Sequence, residues 1–167
     1  MAFDVRGIWS ERDLLIFTSN GVVKKDGSLV MGKGIAKLVR DFYPGIDRVF
    51  GRRVRTYGNH PFILKIEGKA SPSPRFVMSF PTKHHWRDRS SLELIRESRK
   101  KALEEIKDWG DILKRAGVER ILCPLWGTEN GKLTLSQVRK ELLLFRNEVE
   151  SLGFGVLFFS RKGIEEI

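Results

Sequence analysis

The stretch that decides the fold reads N-G-V-V-K-K-D-G-S-L-V-M-G-K-G-I-A over residues 20–36. An apolar, strand-forming run at residues 14–17 precedes it. Apolar residues at helical spacing extend beyond it, at Ile35, Leu38, Val39 and Phe42. A strand that passes through glycines into a helix presents unpaired backbone N–H groups and the positive end of the helix dipole. The pattern therefore predicts an anion site at the start of this helix, and phosphate is the usual anion.

Two other interpretations of this stretch compete with a phosphate site. Residues 27–33 fit the G-x-x-x-x-G-K pattern of nucleotide-hydrolysing P-loops, but Gly34 stands where that loop needs Ser or Thr for Mg²⁺. Gly27 also lies well past the apolar run, whereas a P-loop starts directly from its strand. The simplest alternative is a glycine-rich turn that only connects strand and helix. A cradle for a phosphate diester is the interpretation that we favour.

Size, charge and cysteine content limit the class of protein. A chain of 167 residues fits one domain, residues 1–167, that buries a core without disulfides. A single cysteine, Cys123, excludes an internal disulfide and favours a reducing compartment, so we expect the cytoplasm. The charged first turns predict no signal peptide, and we expect no membrane partner. The net charge of +10 favours nucleic acid as a partner, although a solvated Lys- and Arg-rich surface explains it equally well.

The hydrophobic patterns predict a three-layer α/β/α domain with a mixed central sheet. The first two strands are expected to form a hairpin, which is why the sheet should be mixed. A loop is expected at residues 68–74, and Ser136 is a possible N-cap of the last helix. The predicted strands are 3–9, 14–19, 62–66, 76–80, 118–123 and 155–159, and the predicted helices are 34–42, 47–57, 90–114 and 136–151.

Three loops follow predicted strands at the edge where such folds bind ligands, the carboxyl ends of the strands. They are residues 20–36, 82–87 and 127–132. Their convergence on one rim is a stronger indication of a site than any one loop. The histidines of the middle loop, His84 and His85, are adjacent and lack the spacing of zinc ligands, so no metal site is predicted.

Taken in this order, the three loops resemble those of macrodomains, the ADP-ribose-binding fold, over most of the chain. Residues 20–44 resemble the first binding loop and its helix. Residues 80–87, F-P-T-K-H-H-W-R, are similar to the F-P-T-K-x-H-W-R segment of one subgroup. That subgroup includes the DarG-like antitoxin macrodomains that act on DNA bases, and the human terminal ADP-ribose protein glycohydrolase also keeps a Thr-Lys here. Residues 124–138 resemble a degraded form of the second binding loop.

The resemblance implies roles for individual residues, with ADP-ribose as ligand and no cofactor. Lys83 would be the nucleophile that attacks the anomeric carbon of the ring-opened ribose. Its amine must be neutral to attack, so we expect a pKa lowered by partial burial or by nearby cations. Candidate cations are Arg87, Lys24 and Lys25, and the alternative for Lys83 is a phosphate-binding or solvated lysine. The residues implied to bind ADP-ribose are Asn20 (on the distal ribose), Gly32, Lys33, Gly34, Ile35, Ala36, Thr82, Gly127, Thr128, Asn130 and Gly131.

Departures from the macrodomain pattern keep more than one function open. Residues 22–27 are inserted in the first loop, and Glu129 replaces a glycine where a carboxylate would repel phosphate unless it points away. The acidic partner of the lysine in the human relative aligns with Gly131, and Glu129 is a candidate replacement. We predict a hydrolase that removes ADP-ribose from a DNA base or protein. The alternatives are a non-catalytic ADP-ribose-binding module and a basic nucleic-acid-binding protein.

Overall fold

The computed structural model describes residues 2–68 and 71–167. Within these residues, a six-stranded mixed sheet lies between two layers of helices, which confirms the predicted three-layer α/β/α architecture with a mixed central sheet. No helix in the described part of the chain is long and apolar enough to cross a membrane. The strands are β1 Asp13–Ser19, β2 Ile63–Lys65, β3 Phe76–Pro81, β4 Arg120–Pro124, β5 Gly155–Ser160 and β6 Gly163–Glu165, and the α-helices are α1 Gly34–Phe42, α2 Ile46–Tyr57, α3 Leu92–Arg115 and α4 Leu135–Ser151.

The strands follow the order β2-β3-β1-β4-β5-β6 across the sheet. Strands β3, β1, β4 and β5 are parallel, and the edge strands β2 and β6 pair antiparallel with their neighbours. The apolar run of β1 is fully buried because helices cover both faces of the sheet. Since β3, β1 and β4 are parallel neighbours, their carboxyl ends meet at one edge of the sheet.

Two predicted features of the termini are wrong. Residues 3–9 form no strand and no hairpin with β1; Val5–Gly7 is a 3₁₀ helix, and the ring of Trp9 packs edge-on against Phe42 of α1 at 4.7 Å. The apolar residues of this segment therefore cover the sheet instead of joining it. Strand β6 follows the strand that we expected to be the last. The mixed character of the sheet comes from its two edge strands.

Other differences concern element boundaries. Helix α4 begins one residue before Ser136, and its N-cap is Thr134, whose hydroxyl accepts a hydrogen bond from Gln137 N. The Gln137 side chain accepts from Thr134 N in return, which completes a capping box. Part of the predicted loop 68–74, residues 69 and 70, lies outside the described residues.

The inserted residues 22–27 form a tight turn against α2. Lys24 N donates to Ser28 O at 2.8 Å, and Gly27 N donates to Lys24 O at 2.9 Å. Gly27 has a φ of 90°, in the left-handed region that glycine adopts without strain. A Cβ at Gly51 of α2 would lie 1.9 Å from Gly27 O, so the turn reaches the helix only because residue 51 has no side chain.

We expect Gly51→Ala to lower the free energy of unfolding by about 2 kcal/mol, because the added methyl must push the turn away from α2. Gly110→Ala in α3 is the matched control, because a Cβ there meets nothing within 4 Å. That substitution should raise stability by about 0.5–1 kcal/mol through helix propensity. Urea denaturation measures both values, and equal effects would contradict the close contact between turn and helix.

Candidate functional site

A cleft of about 1250 Å³ opens at the carboxyl ends of β1, β3 and β4. Small-molecule sites usually measure about 300–1,000 Å³, so this cleft has room for a ligand as large as a dinucleotide. Thr128 is not among its lining residues, and its hydroxyl donates to Leu125 O at 2.9 Å instead. The three loops do meet here, and the predicted site residues that line the cleft are Asn20, Gly32, Lys33, Gly34, Ile35, Ala36, Thr82, Lys83, Gly127, Asn130 and Gly131.

The N-terminus of α1 faces this cleft. Lys33 is the N-cap residue in an extended conformation, and no side chain of residues 2–68 or 71–167 caps the first turn. The N–H groups of that turn therefore remain available to an anion, at the positive end of the helix dipole. Across the cleft, the side-chain amide of Asn130 lies 3.4 Å from where a Cβ of Gly34 would stand. The first and second binding loops thus approach each other closely around this anion site.

The side chain of Asn20 holds the first loop together. Its Nδ2 donates to Val30 O at 3.0 Å, and its Oδ1 accepts from Val22 N at 2.9 Å. These bonds join residue 20 to residues 22 and 30, and so they close the loop that contains the inserted residues. One amide hydrogen of Asn20 is left for the predicted contact with a ligand.

The second loop rests on Ser90, a residue that the sequence analysis did not select. Ser90 N donates to Gly131 O at 3.0 Å, and a Cβ at Gly131 would lie 2.0 Å from Ser90 Oγ. Position 131 therefore has no room for a side chain unless Ser90 moves, which leaves no space there for an acidic partner of Lys83. Ser90 Oγ is buried, belongs to the cleft lining and has no hydrogen-bond partner among the described residues. It is a free polar group at the site.

Glu129 lines the cleft, and its carboxylate is bound at the turn between β5 and β6. Its Oε1 accepts a hydrogen bond of 2.7 Å from the backbone N–H of Arg161, in the turn between β5 and β6. The carboxylate thus fastens the second loop to the end of the sheet.

Lys83 is held at the opposite end of the cleft from this turn by its own loop. Its Nζ donates to the backbone oxygens of Asp88, at 3.2 Å, and Trp86, at 3.4 Å. Asn59, just after α2, donates from Nδ2 to Lys83 O at 3.1 Å. Gly21 N donates to His84 O at 2.8 Å, so the first loop also supports this segment. The sequence offered no pattern that singles out Asn59.

The pKa of Lys83 lies below its ordinary value of 10.5, chiefly because of partial burial. The positive charge of Lys33 lowers it further, while the carboxylate of Asp88 raises it. The predicted lowering is therefore present, but its cationic source is Lys33 and none of the three cations that we expected. Arg87 instead lies over the Trp86 ring, with its guanidinium carbon 4.7 Å from the ring centre.

A cysteine nucleophile and a metal site have less support than the lysine. Cys123 is fully buried, and burial raises the pKa of its thiol well above the ordinary value, so the thiol stays protonated. Among residues 2–68 and 71–167, no group of three or more His, Cys, Asp or Glu side chains is arranged to hold a metal ion.

Several solved structures are similar to this chain in fold. No protein-family model matches the sequence. The macrodomain of Mycobacterium tuberculosis DarG is similar, with a TM-score of 0.74, 22% identity and coverage of 96% of this chain and 95% of that one. The macrodomain of Thermus aquaticus DarG has a TM-score of 0.70, 25% identity and coverage of 95% and 94%. This chain has the macrodomain fold.

Two further similarities concern proteins longer than this macrodomain. Thermosipho africanus DarTG in complex with ADP-ribose has a TM-score of 0.70 and 23% identity, over 90% of this chain and 38% of that one. The DNA ADP-ribosyl glycohydrolase of Thermus aquaticus is 26% identical over an alignment of 123 residues, and the match covers 68% of this chain. The chain spans only 30% of the length of that curated relative. The predicted resemblance to DarG-like macrodomains is confirmed.

We expect Glu129→Ala to loosen the second loop of this macrodomain, because Arg161 N loses its acceptor. Hydrogen exchange at the Arg161 amide should become about tenfold faster, the effect of losing a bond worth roughly 1–1.5 kcal/mol. Glu129→Gln keeps an oxygen that accepts the bond, so exchange in that variant should stay near the wild-type rate. Unchanged exchange in Glu129→Ala would show that the bond does not hold the loop in solution.

Proposed function

We propose that this macrodomain binds ADP-ribose and hydrolyses the bond that joins it to a modified macromolecule, either a DNA base or a protein side chain. One observation carries the proposal. A partly buried lysine with a lowered pKa, Lys83, shares a cleft of about 1250 Å³ with the uncapped N-terminus of α1. A reactive amine and an anion site in one cleft suit a substrate that carries both a diphosphate and a terminal sugar.

The chemical character of the cleft supports one orientation of ADP-ribose. The diphosphate would lie at the first turn of α1, against backbone groups of residues 32–35 and beneath the second loop. Near Arg161 the cleft is lined by the rings of Phe3 and Phe159, whose centroids lie 6.4 Å apart, and these rings suit the adenine. The distal ribose would then reach Lys83 and Asn20.

The chemistry proposed for Lys83 is covalent catalysis. Its neutral amine forms a bond to the anomeric carbon while the bond from that carbon to the modified base or side chain breaks. The leaving group takes up a proton, and water then cleaves the lysine adduct to release ADP-ribose and restore the amine. The hydrogen bonds from Asn59 and Gly21 to this loop would keep Lys83 in place through both steps.

Known relatives support the proposal. One similar structure is a complex with ADP-ribose, and the curated relative is a DNA ADP-ribosyl glycohydrolase. A non-catalytic ADP-ribose-binding module is the second candidate, favoured by the packing of Ser90 against Gly131, which leaves no space for an acidic partner at that position. Action in the cytoplasm stays a prediction.

Substitution of Lys83 separates these two candidates. We expect the wild type to bind ADP-ribose, which titration calorimetry measures. We also expect it to hydrolyse an ADP-ribosylated oligonucleotide or protein. Lys83→Ala should reduce turnover about 10³-fold while the affinity for ADP-ribose changes by less than about threefold. Lys107→Ala, an exposed lysine of α3, should change neither value. Binding without turnover in the wild type would favour the non-catalytic module, and full activity of Lys83→Ala would refute the nucleophile.

The pH dependence of hydrolysis should report the pKa of Lys83. The rate should rise with pH as the amine becomes neutral and level off below pH 10.5, the ordinary pKa of lysine. Lys33→Gln removes a positive charge that lowers this pKa, so its rise should occur at higher pH. Asp88→Asn removes a negative charge that raises it, so its rise should occur at lower pH. If the pH profiles of kcat/KM for the two variants shift in the same direction, the assignment of this pKa to Lys83 is wrong.

A further inference from the structure

We propose that Lys132, in the second binding loop, binds the diphosphate of the ligand through its side-chain amine. The same contact is the functional reason for the strained backbone of this residue. The proposal rests on the proposed function, because the ligand is the ADP-ribose of the cleft. It adds a charged side chain of the second loop to a diphosphate site at the first turn of α1.

The backbone of Lys132 adopts a conformation that side chains disfavour. Its φ is 62°, in the left-handed region where a Cβ crowds the following carbonyl. Every other residue with a positive φ in residues 2–68 and 71–167 is a glycine. A lysine loses free energy in this region that a glycine would not lose. Strained residues of this kind cluster at ligand sites, so the strain at Lys132 indicates a function of its side chain.

Hydrogen bonds on both sides of Lys132 impose this conformation. Its own N–H donates to Glu129 O at 3.2 Å, and the N–H of Leu133 donates to Gly127 O at 2.8 Å. Together these bonds fix the backbone of residue 132 before a ligand binds. The side chain therefore starts from a defined position at the edge of the cleft, which lowers the cost of ordering it on binding.

The second loop places Lys132 beside the anion site of α1. Lys132 lines the cleft, as do Lys33 and Gly34 at the start of that helix. The side-chain amide of Asn130 lies 3.4 Å from where a Cβ of Gly34 would stand. Lys132 follows Asn130 by two residues, which span at most about 7 Å of chain. Its long side chain can therefore reach a diphosphate bound at the N–H groups of the first turn.

The charge of Lys132 is available to a ligand. The side chain is exposed, and it forms no salt bridge with any residue in the described ranges. Glu129, the nearest carboxylate along the chain, accepts a hydrogen bond of 2.7 Å from the backbone N–H of Arg161. An ion pair with Glu129 therefore does not explain the lysine. An ammonium donates charge-assisted hydrogen bonds to phosphate oxygens, and a diphosphate is the anion that the proposed function brings to this cleft.

Three substitutions of Lys132 separate its charge from its strain. Lys132→Gly removes both, Lys132→Ala removes the charge but keeps a Cβ in the left-handed region, and Lys132→Arg keeps both. Titration calorimetry should show ADP-ribose binding about tenfold weaker in the Gly and Ala variants, and within about threefold of the wild type in the Arg variant. The melting temperature should rise by about 2 °C in Lys132→Gly alone, because only glycine relieves the strain. A residue with a purely structural role would not combine weaker binding with higher stability.

A control variant and two simpler ligands identify the group that Lys132 binds. Lys162→Ala removes an exposed lysine from the turn between β5 and β6, outside the cleft lining, and should keep the wild-type affinity and melting temperature. Inorganic pyrophosphate should bind Lys132→Ala about tenfold more weakly than it binds the wild type. Adenosine, which carries no phosphate, should bind both proteins equally. On an ADP-ribosylated oligonucleotide, Lys132→Ala should raise KM about tenfold and change kcat by less than about threefold.

Several results would overturn the proposal. These are unchanged ADP-ribose affinity in Lys132→Ala, an equal loss of affinity in Lys162→Ala, an equal loss for adenosine, or no gain of stability in Lys132→Gly. Pyrophosphate needs neither the nucleoside nor hydrolysis, so failure of the proposed function is distinguishable. A wild type that binds pyrophosphate through Lys132 but does not bind ADP-ribose would refute the proposed function and support the anion contact. A wild type that binds neither ligand would refute both.

Discussion

The position of the cleft depends on the burial of β1. This strand pairs with β3 on one side and β4 on the other, and helices cover both of its faces, so its apolar run lies at the centre of the protein. Because all three strands are parallel, their carboxyl ends come out side by side. The loops that follow them must then meet, although they are separated by dozens of residues in the chain. The N-terminus of α1 and Lys83 share one cleft for this reason.

The positive potential of the cleft comes from the backbone of α1 as well as from side chains. The uncapped first turn of α1 attracts an anion, and Lys33 at its start adds a positive charge that also lowers the pKa of Lys83. One cation thus serves an anion site and keeps a nearby amine closer to neutral. Glu129 would oppose both effects, but its carboxylate is bound to Arg161 N. This bond holds the carboxylate at the turn between β5 and β6.

Glycines at close contacts explain how this macrodomain accommodates its departures from the family pattern. The second loop packs onto Ser90 because Gly131 has no side chain, and the same contact removes the space for an acidic partner. The inserted turn packs onto α2 because Gly51 has none. The first contact shapes the cleft, and the second carries two lysines onto a basic helix.

The sequence by itself determined the strand–glycine–helix unit, the bounds of α1, the three-layer class and the three loops, because hydrophobic spacing and glycines act over a few residues. Tertiary structure decided that residues 3–9 cover the sheet, since alternation does not specify a hydrogen-bond partner. It also decided the direction of Glu129, the support of Lys83 by Asn59, and Lys33 as its cationic neighbour. Each of these depends on contacts between segments far apart in the chain, which local patterns do not encode.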